Sequence, residues 1–212
     1  MINATMDVVI SIADDSHLKY AEEISTLMAQ AAKARGTGIA ERTPEYLHQK
    51  MHQGKAVIAL ADDQLAGFCY IESWGHDQYV ANSGLIVHPD FRRTGLAKKI
   101  KKKIFELSRQ KYPHAKIFGI TTSLAVMKIN SELGYKPVTF SELTNDDAFW
   151  LGCRSCPNYD ILQRTERIHC LCTGMLYDPE KEKPAANGNG KRWERFKNFL
   201  KRNSSKKFNN EK

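Results

Sequence analysis

The sequence predicts an α/β (α+β) fold, a mixed and mostly antiparallel central sheet flanked by helices, with a Cys-rich C-terminal extension. Three observations carry this. Two helical segments come early, two apolar runs separated only by Asp62-Asp63-Gln64 form a hairpin, and a strand–helix–strand unit follows. Four of the five cysteines then cluster late in the chain.

Val8 to Ile12 alternates weakly and reads as a first strand. Asp15-Ser16 caps a helix reaching about Arg35, with Ile24, Leu27, Met28 and Ala31 on its apolar face and Gly36 ending it. Thr43-Pro44-Glu45 starts a second helix, which stops at Gly54. Ala56 to Ala61, Leu65 to Ser73 and Tyr79 to Val87 read as strands. A helix from Gly95 to about Tyr112 carries Leu96, Ile100, Ile104 and Leu107 on one stripe. Lys116 to Thr121 is a strand, Leu124 to Leu133 a short helix, and Tyr135 to Phe140 a returning strand. Three segments result: a domain over 1–140, a Cys-rich extension packed on it over 141–180, and a basic, flexible tail over 181–212.

Charge is unevenly placed. The net charge of +8 belongs to the tail, whose eleven Lys and Arg face three Glu, so the body is neutral. A neutral body argues against nucleic acid as its partner. The tail carries Trp193, Phe196, Phe199 and Leu200 at helical spacing after a Gly/Asn linker, a pattern that suits a membrane surface or a partner protein. No apolar run is long enough to span a bilayer and the start has no secretory pattern, so a cytoplasmic protein is expected, with homo-oligomerisation open.

The chemistry concentrates in Val87 to Lys99. A strand ends at Val87, Pro89 breaks it, and a turn opens a helix at Gly95. Backbone N–H groups in such a turn, with the partial positive charge of the helix start, form an anion site suited to a pyrophosphate. Gly95 and Ala97 leave room for the phosphate. Lys98, Lys99, Lys101, Lys102 and Lys103 read for the most part as a solvated helix face, with contact to a ribose phosphate as the alternative.

Arg92-x-x-Gly95-x-Ala97 after a Val-His-Pro strand end resembles the acyl-CoA signature of the GNAT acetyltransferase superfamily. The element order over roughly 7–140 is similar to the GNAT fold, and Ser131-Glu132-Leu133-Gly134-Tyr135 resembles a later motif of that family. The resemblance implies an acyl-CoA-dependent N-acyltransferase. Its coenzyme A residues would be Leu85, Ile86, Val87, Arg92, Arg93, Thr94, Gly95, Leu96, Ala97, Lys98 and Asn130, with the turn holding pyrophosphate and the strand end pairing with pantetheine. Many members place an Asn after the fifth strand and, seven residues on, a Tyr that protonates the departing thiolate. Ser123 and Asn130 stand there instead, which puts a Tyr acid in doubt.

A narrower resemblance is to short N-acetylglutamate synthases. Gly38 to Leu47, Ile120 to Val138 and Ser141 to Asp147 are similar to segments of those enzymes and occur in the same order. This implies acetyl- or succinyl-CoA as donor, L-glutamate as the small-molecule acceptor, and a place in arginine biosynthesis. Arg35 and Arg42, with Thr121, are the acceptor-binding residues expected, because Arg forks suit carboxylates. Glu72 and His76 are the candidate bases. Other amines, a protein acceptor and a non-catalytic acyl-CoA-binding module are the alternatives. Cys153, Cys156, Cys170 and Cys172 would supply four thiolates for a structural zinc, the alternative being reduced thiols in a packed extension.

Overall fold

The computed structural model describes residues 7–36 and 42–181. The strands are β1 (Val8–Ile12), β2 (Ala56–Ala61), β3 (Gln64–Trp74), β4 (Tyr79–Val87), β5 (Lys116–Thr121), β6 (Lys136–Val138) and β7 (Thr173–Tyr177). The helices are α1 (Ala21–Arg35), α2 (Pro44–His52), α3 (Leu96–Lys111), α4 (Leu124–Glu132), α5 (Asp147–Leu151) and α6 (Tyr159–Arg164). The strands form one seven-stranded sheet in the order β1-β2-β3-β4-β5-β7-β6. Every pairing is antiparallel except β4 with β5. Residues 1–178 make up one unit; of the second, 179–212, only 179–181 are described.

Local chemistry explains the helix ends. Thr43 accepts a hydrogen bond from Tyr46 N–H at 3.3 Å and Pro44 occupies the first turn of α2. The first predicted helix is shorter than expected. Asp14, not Asp15-Ser16, is the cap, and a 3-10 turn over Asp15–Tyr20 precedes α1. The expected hairpin forms, with Asp62 in the left-handed region at φ 53°.

Two apolar layers sandwich the sheet. On one face α3 packs Leu96, Ile100, Ile104 and Leu107 against Val57, Cys69, Ile71 and Val80. On the other, α1 and α2 pack Ile24, Met28, Leu47 and Met51 against Ile58, Phe68, Tyr70 and Ile86. Trp150, Leu162, Phe118 and Leu176 form a third cluster.

β7 is the element that sequence reading missed. It lies in the stretch expected to be an extension, yet it enters the sheet between β5 and β6. The expected boundary at residue 140 therefore falls between two adjacent strands of one sheet. Four of its five residues, Gly174 to Tyr177, are buried, so the strand shows no alternation of polar and apolar positions.

The zinc expectation finds no support in the fold. Among the described residues, no group of three or more His, Cys, Asp or Glu side chains is arranged to hold a metal ion. Cys153, Cys156, Cys170 and Cys172 form no disulfide, and Cys153, Cys170 and Cys172 pack against the third cluster. Burial pushes the Cys153 thiol up to about 11 and Cys172 up to about 12, with neighbouring cysteines adding to it. Cys153, Cys170 and Cys172 thus serve as small packing groups of that cluster. The tail from 182 onward lies outside the described residues, as does the 37–41 part of the synthase-like segment.

Candidate active site

The site begins where β4 and β5 part. Their parallel register runs Tyr79↔Lys116, Val80↔Ile117, Ala81↔Phe118 and stops, while β4 continues to Val87 and β5 to Thr121. A wedge opens from Asn82 onward. Ile71 N–H donates to Lys55 O at 2.7 Å, on the β2 side, and Ile71 faces Asn82 across the β3–β4 pair. In an antiparallel pair a residue's N–H and C=O point the same way, so Asn82 turns its backbone from β3 toward the wedge. At the other end His88 N–H donates to Ala66 O at 2.9 Å, toward β3. By alternation Ile86 also faces β3, whereas Leu85 and Val87 face the wedge. Of the three residues expected to pair with pantetheine, Leu85 and Val87 are placed for it. Ile86 is not, and its side chain lies in the α1–α2 core.

The anion turn closes the open end. Gly95 caps α3 at φ +81° with no side-chain hydrogen bond to the first turn, and Arg93 is also left-handed at φ 66°. No acidic residue stands in that turn. A Cβ added at Gly95 would meet nothing within 4 Å. The backbone at the α3 start is thus open on the side of the Gly95 Cβ position. Thr94 Oγ1 donates to Phe91 O at 2.7 Å and Arg92 Nε donates to Val87 O at 3.2 Å, which ties the turn to the strand end. The Leu96 side chain is core, and Ala97 keeps the turn small. Lys98 pairs with Glu132 at 2.7 Å, linking the start of α3 to the end of α4.

α4 lies across the wedge from this turn. Asn130 is 2% exposed, and its Oδ1 is buried without a hydrogen-bond partner. Its carbonyl accepts from Tyr135 N–H at 3.0 Å, and Tyr135 Oη donates to Asn82 Oδ1 at 3.0 Å. Asn130 is therefore two residues removed from the wedge apex. Thr121 Oγ1 accepts from Ser123 N–H at 3.0 Å and shapes the turn into α4.

On the α1–α2 face a second group of polar side chains gathers beside the apex. Arg42 Nε donates to Tyr70 Oη at 2.7 Å, and the guanidinium lies 4.8 Å from the Tyr46 ring. Tyr70 faces Ser83 across the strands, and its ring packs on Gly84, where a Cβ would come within 2.3 Å of it. Glu72, two residues along β3, forms an ion pair with Lys50 of α2. Burial first, then the like charges of Lys55 and Arg42, pull the Lys50 ammonium down to about 8. Of the expected acceptor residues, Arg42 is in this group; the side chain of Arg35 lies outside the described residues. Glu72 is half-buried next to the apex pair Ala81. His76 is not there, standing exposed in the β3–β4 turn at the closed end of the wedge.

Tyr46, Lys50, Tyr70 and Asn82 were not named by sequence reading; Tyr135 entered only as the end of a motif, and Lys101, read with its run as a solvated face, is buried instead. A signal for Lys101 existed, since Ala97, Lys101, Phe105 and Ser108 lie at helical steps beside the apolar stripe.

A strand edge freed by parallel splay, ending in an uncapped helix start, defines a scaffold for a phosphate-bearing donor such as acyl-CoA. Residues 22–126 match the acetyltransferase (GNAT) family, and the chain carries a domain of that family. No curated protein matches it. Solved structures share the fold at low identity. N-acetylglutamate synthase from Neisseria gonorrhoeae, complexed with coenzyme A and N-acetyl-glutamate, superposes at TM-score 0.56 and 16% identity over 81% of this chain. This chain covers only 35% of that one. The yncA protein of Salmonella typhimurium, with acetyl-CoA, superposes at 0.57 and 14% identity, covering 86% of this chain and 99% of that one. A Mycobacterium tuberculosis protein in complex with CoA superposes at 0.56 and 16% identity, over 80% and 98%. No helix among the described residues is long and apolar enough to cross a membrane.

Proposed function

We propose that the protein transfers an acyl group from acyl-CoA to the amino group of a carboxylate-bearing small molecule, with L-glutamate as acceptor and arginine biosynthesis as its setting. The observation that carries this is the position of Arg42, Lys50 and Glu72 beside the apex of the β4–β5 wedge. Two cations suit the carboxylates of an amino dicarboxylate, and one carboxylate is available to take the proton lost by the attacking amine.

In this reading the pyrophosphate rests on the N–H groups of the Arg93–Ala97 turn. Pantetheine pairs with the Leu85 and Val87 backbone groups, which brings the thioester to the apex. The amine, neutral after Glu72 or a water held by it accepts a proton, attacks the thioester carbon. A C–N bond forms, the C–S bond breaks, the thiolate leaves, and the nitrogen gives up its remaining extra proton through Glu72 to solvent. The donor is acetyl- or succinyl-CoA, since nothing in the wedge selects between them.

A thiol-release assay of the full chain, with both donors and a panel of amino acids, tests this. Glutamate is expected to turn over fastest. Faster turnover of lysine, a polyamine or a peptide N-terminus would overturn the acceptor assignment.

A further inference from the structure

Lys101 stands apart from the lysines around it. Its neighbours Lys102 and Lys103 are exposed, whereas Lys101 is 2% exposed. Its Nζ donates to the backbone carbonyl of Asn82 at 3.2 Å. That carbonyl points into the wedge and is the first on β4 that β5 leaves unpaired. The ammonium therefore occupies the apex of the wedge, where the next β5 N–H would stand if the sheet continued.

Its surroundings do not neutralise it. Cys69 of β3 lies near, and its thiol donates to Ser83 O at 3.2 Å. The Tyr135 ring, ahead of β6, is 5.6 Å from Nζ, and Tyr177 of β7 packs behind that ring. Asn82 Nδ2 donates to Ser108 Oγ at 2.6 Å, closing the floor on the α3 side. Among the described residues no carboxylate pairs with Lys101. A buried, uncompensated ammonium is costly, and a leucine or methionine would pack the position better. Burial holds its proton loosely, pulling it down to about 8.

The donor's geometry, as given in the proposed function on which this rests, brings a reacting atom to this point. Val87 to Asn82 spans five steps of strand at about 3.3 Å each, comparable to an extended pantetheine arm. An arm anchored at the Arg93–Ala97 turn and paired along Leu85 and Val87 ends with its sulfur at Asn82. Across the wedge, Asn130 offers an amide and no acidic proton.

We propose that Lys101 is the acid that protonates the departing coenzyme A thiolate. When the C–S bond breaks, its electron pair goes to sulfur. The Lys101 ammonium gives that sulfur a proton and becomes an amine. The attacking nitrogen loses one proton through Glu72 to solvent, and Lys101 regains one from solvent. The sum is acyl-CoA plus amine giving amide plus free thiol.

The test uses the full-length protein and coenzyme A alone, with an isotope-labelled carbon at the thiol-bearing methylene followed by NMR against pH. Bound to the wild type, the thiol is expected to ionise roughly one pH unit below the free thiol, because the ammonium stabilises the thiolate. Lys101→Met, which keeps the volume and removes the charge, is expected to abolish that shift. In turnover, kcat should fall on the order of a hundredfold while the acyl-CoA KM stays within about threefold. Coenzyme A that binds both proteins with the same thiol titration overturns the role of Lys101 and leaves the acyl-CoA reading standing. Failure of the wild type to bind coenzyme A overturns both. If K101M does not fold, the wild-type titration decides alone, an unshifted thiol counting against the proposal.

Discussion

Gly95 combines a left-handed backbone with empty space above it. A side chain there pays a steric penalty of about 1–2 kcal/mol and fills the place where a phosphate would rest. Gly95→Trp should lower coenzyme A affinity at least tenfold and leave the circular dichroism spectrum unchanged, which calorimetric titration can check. Arg42 is held by Tyr70 and Tyr46 on the α1–α2 face of the sheet. Arg42→Ala should therefore raise the glutamate KM more than tenfold and the acyl-CoA KM by less than threefold. Equal effects in steady-state kinetics would remove it from the acceptor site.

Lys101 also makes a stability prediction. Its folded pKa, about 8, lies below the ordinary 10.5, so the unfolded chain binds the proton more tightly. Stability should therefore rise with pH between about 8 and 10.5, and the full penalty applies below pH 8. At pH 7 that penalty is on the order of 2–4 kcal/mol. Lys101→Met should raise Tm at pH 7 and flatten the alkaline rise, as thermal melts across pH would show.

At the scale of elements, the wedge depends on β4. Its bulge near Gly84 changes the register with β3 and lets the Tyr70 ring sit directly on the backbone. Gly84 is also left-handed, at φ +64°. Gly84→Ala would force Tyr70 away and strain the turn, costing about 2–4 kcal/mol in denaturant unfolding. Because Tyr70 holds Arg42, the surviving folded protein should also lose glutamate affinity. The helix caps were readable because their signals are local: Thr43-Pro44 before α2, and Gly95 before α3. β7 was not, because it is buried by its neighbours on both sides and its sequence carries no period of two.

For the whole molecule, the sheet ends at Tyr177, and each residue placed in the wedge or on its acceptor face precedes Glu142. Truncation after Pro184 should keep kcat/KM within about threefold, a change of less than ~1 kcal/mol in transition-state stabilisation. A hundredfold loss in a truncated protein with an unchanged circular dichroism spectrum would place the tail in the site.

The sequence by itself determined the strand–turn–helix around Gly95, the early helices and the hairpin. Each rests on residues a few positions apart, whose backbone preferences act before any tertiary contact. It also pointed to Arg42 and Glu72 one at a time, without a reason to bring them together. Tertiary structure decided which side of β4 faces the wedge, and so separated Leu85 and Val87 from Ile86. It moved His76 to the closed end of the wedge, and it turned the cysteines into packing groups against Trp150 and Leu162. It set Lys101 apart from Lys102 and Lys103, a difference that the helical steps from Ala97 to Ser108 only hinted at. As side chains the three lysines are chemically identical. The one that meets the gap between two strands is set by the angle at which α3 crosses the sheet, and that angle is a property of the packed core.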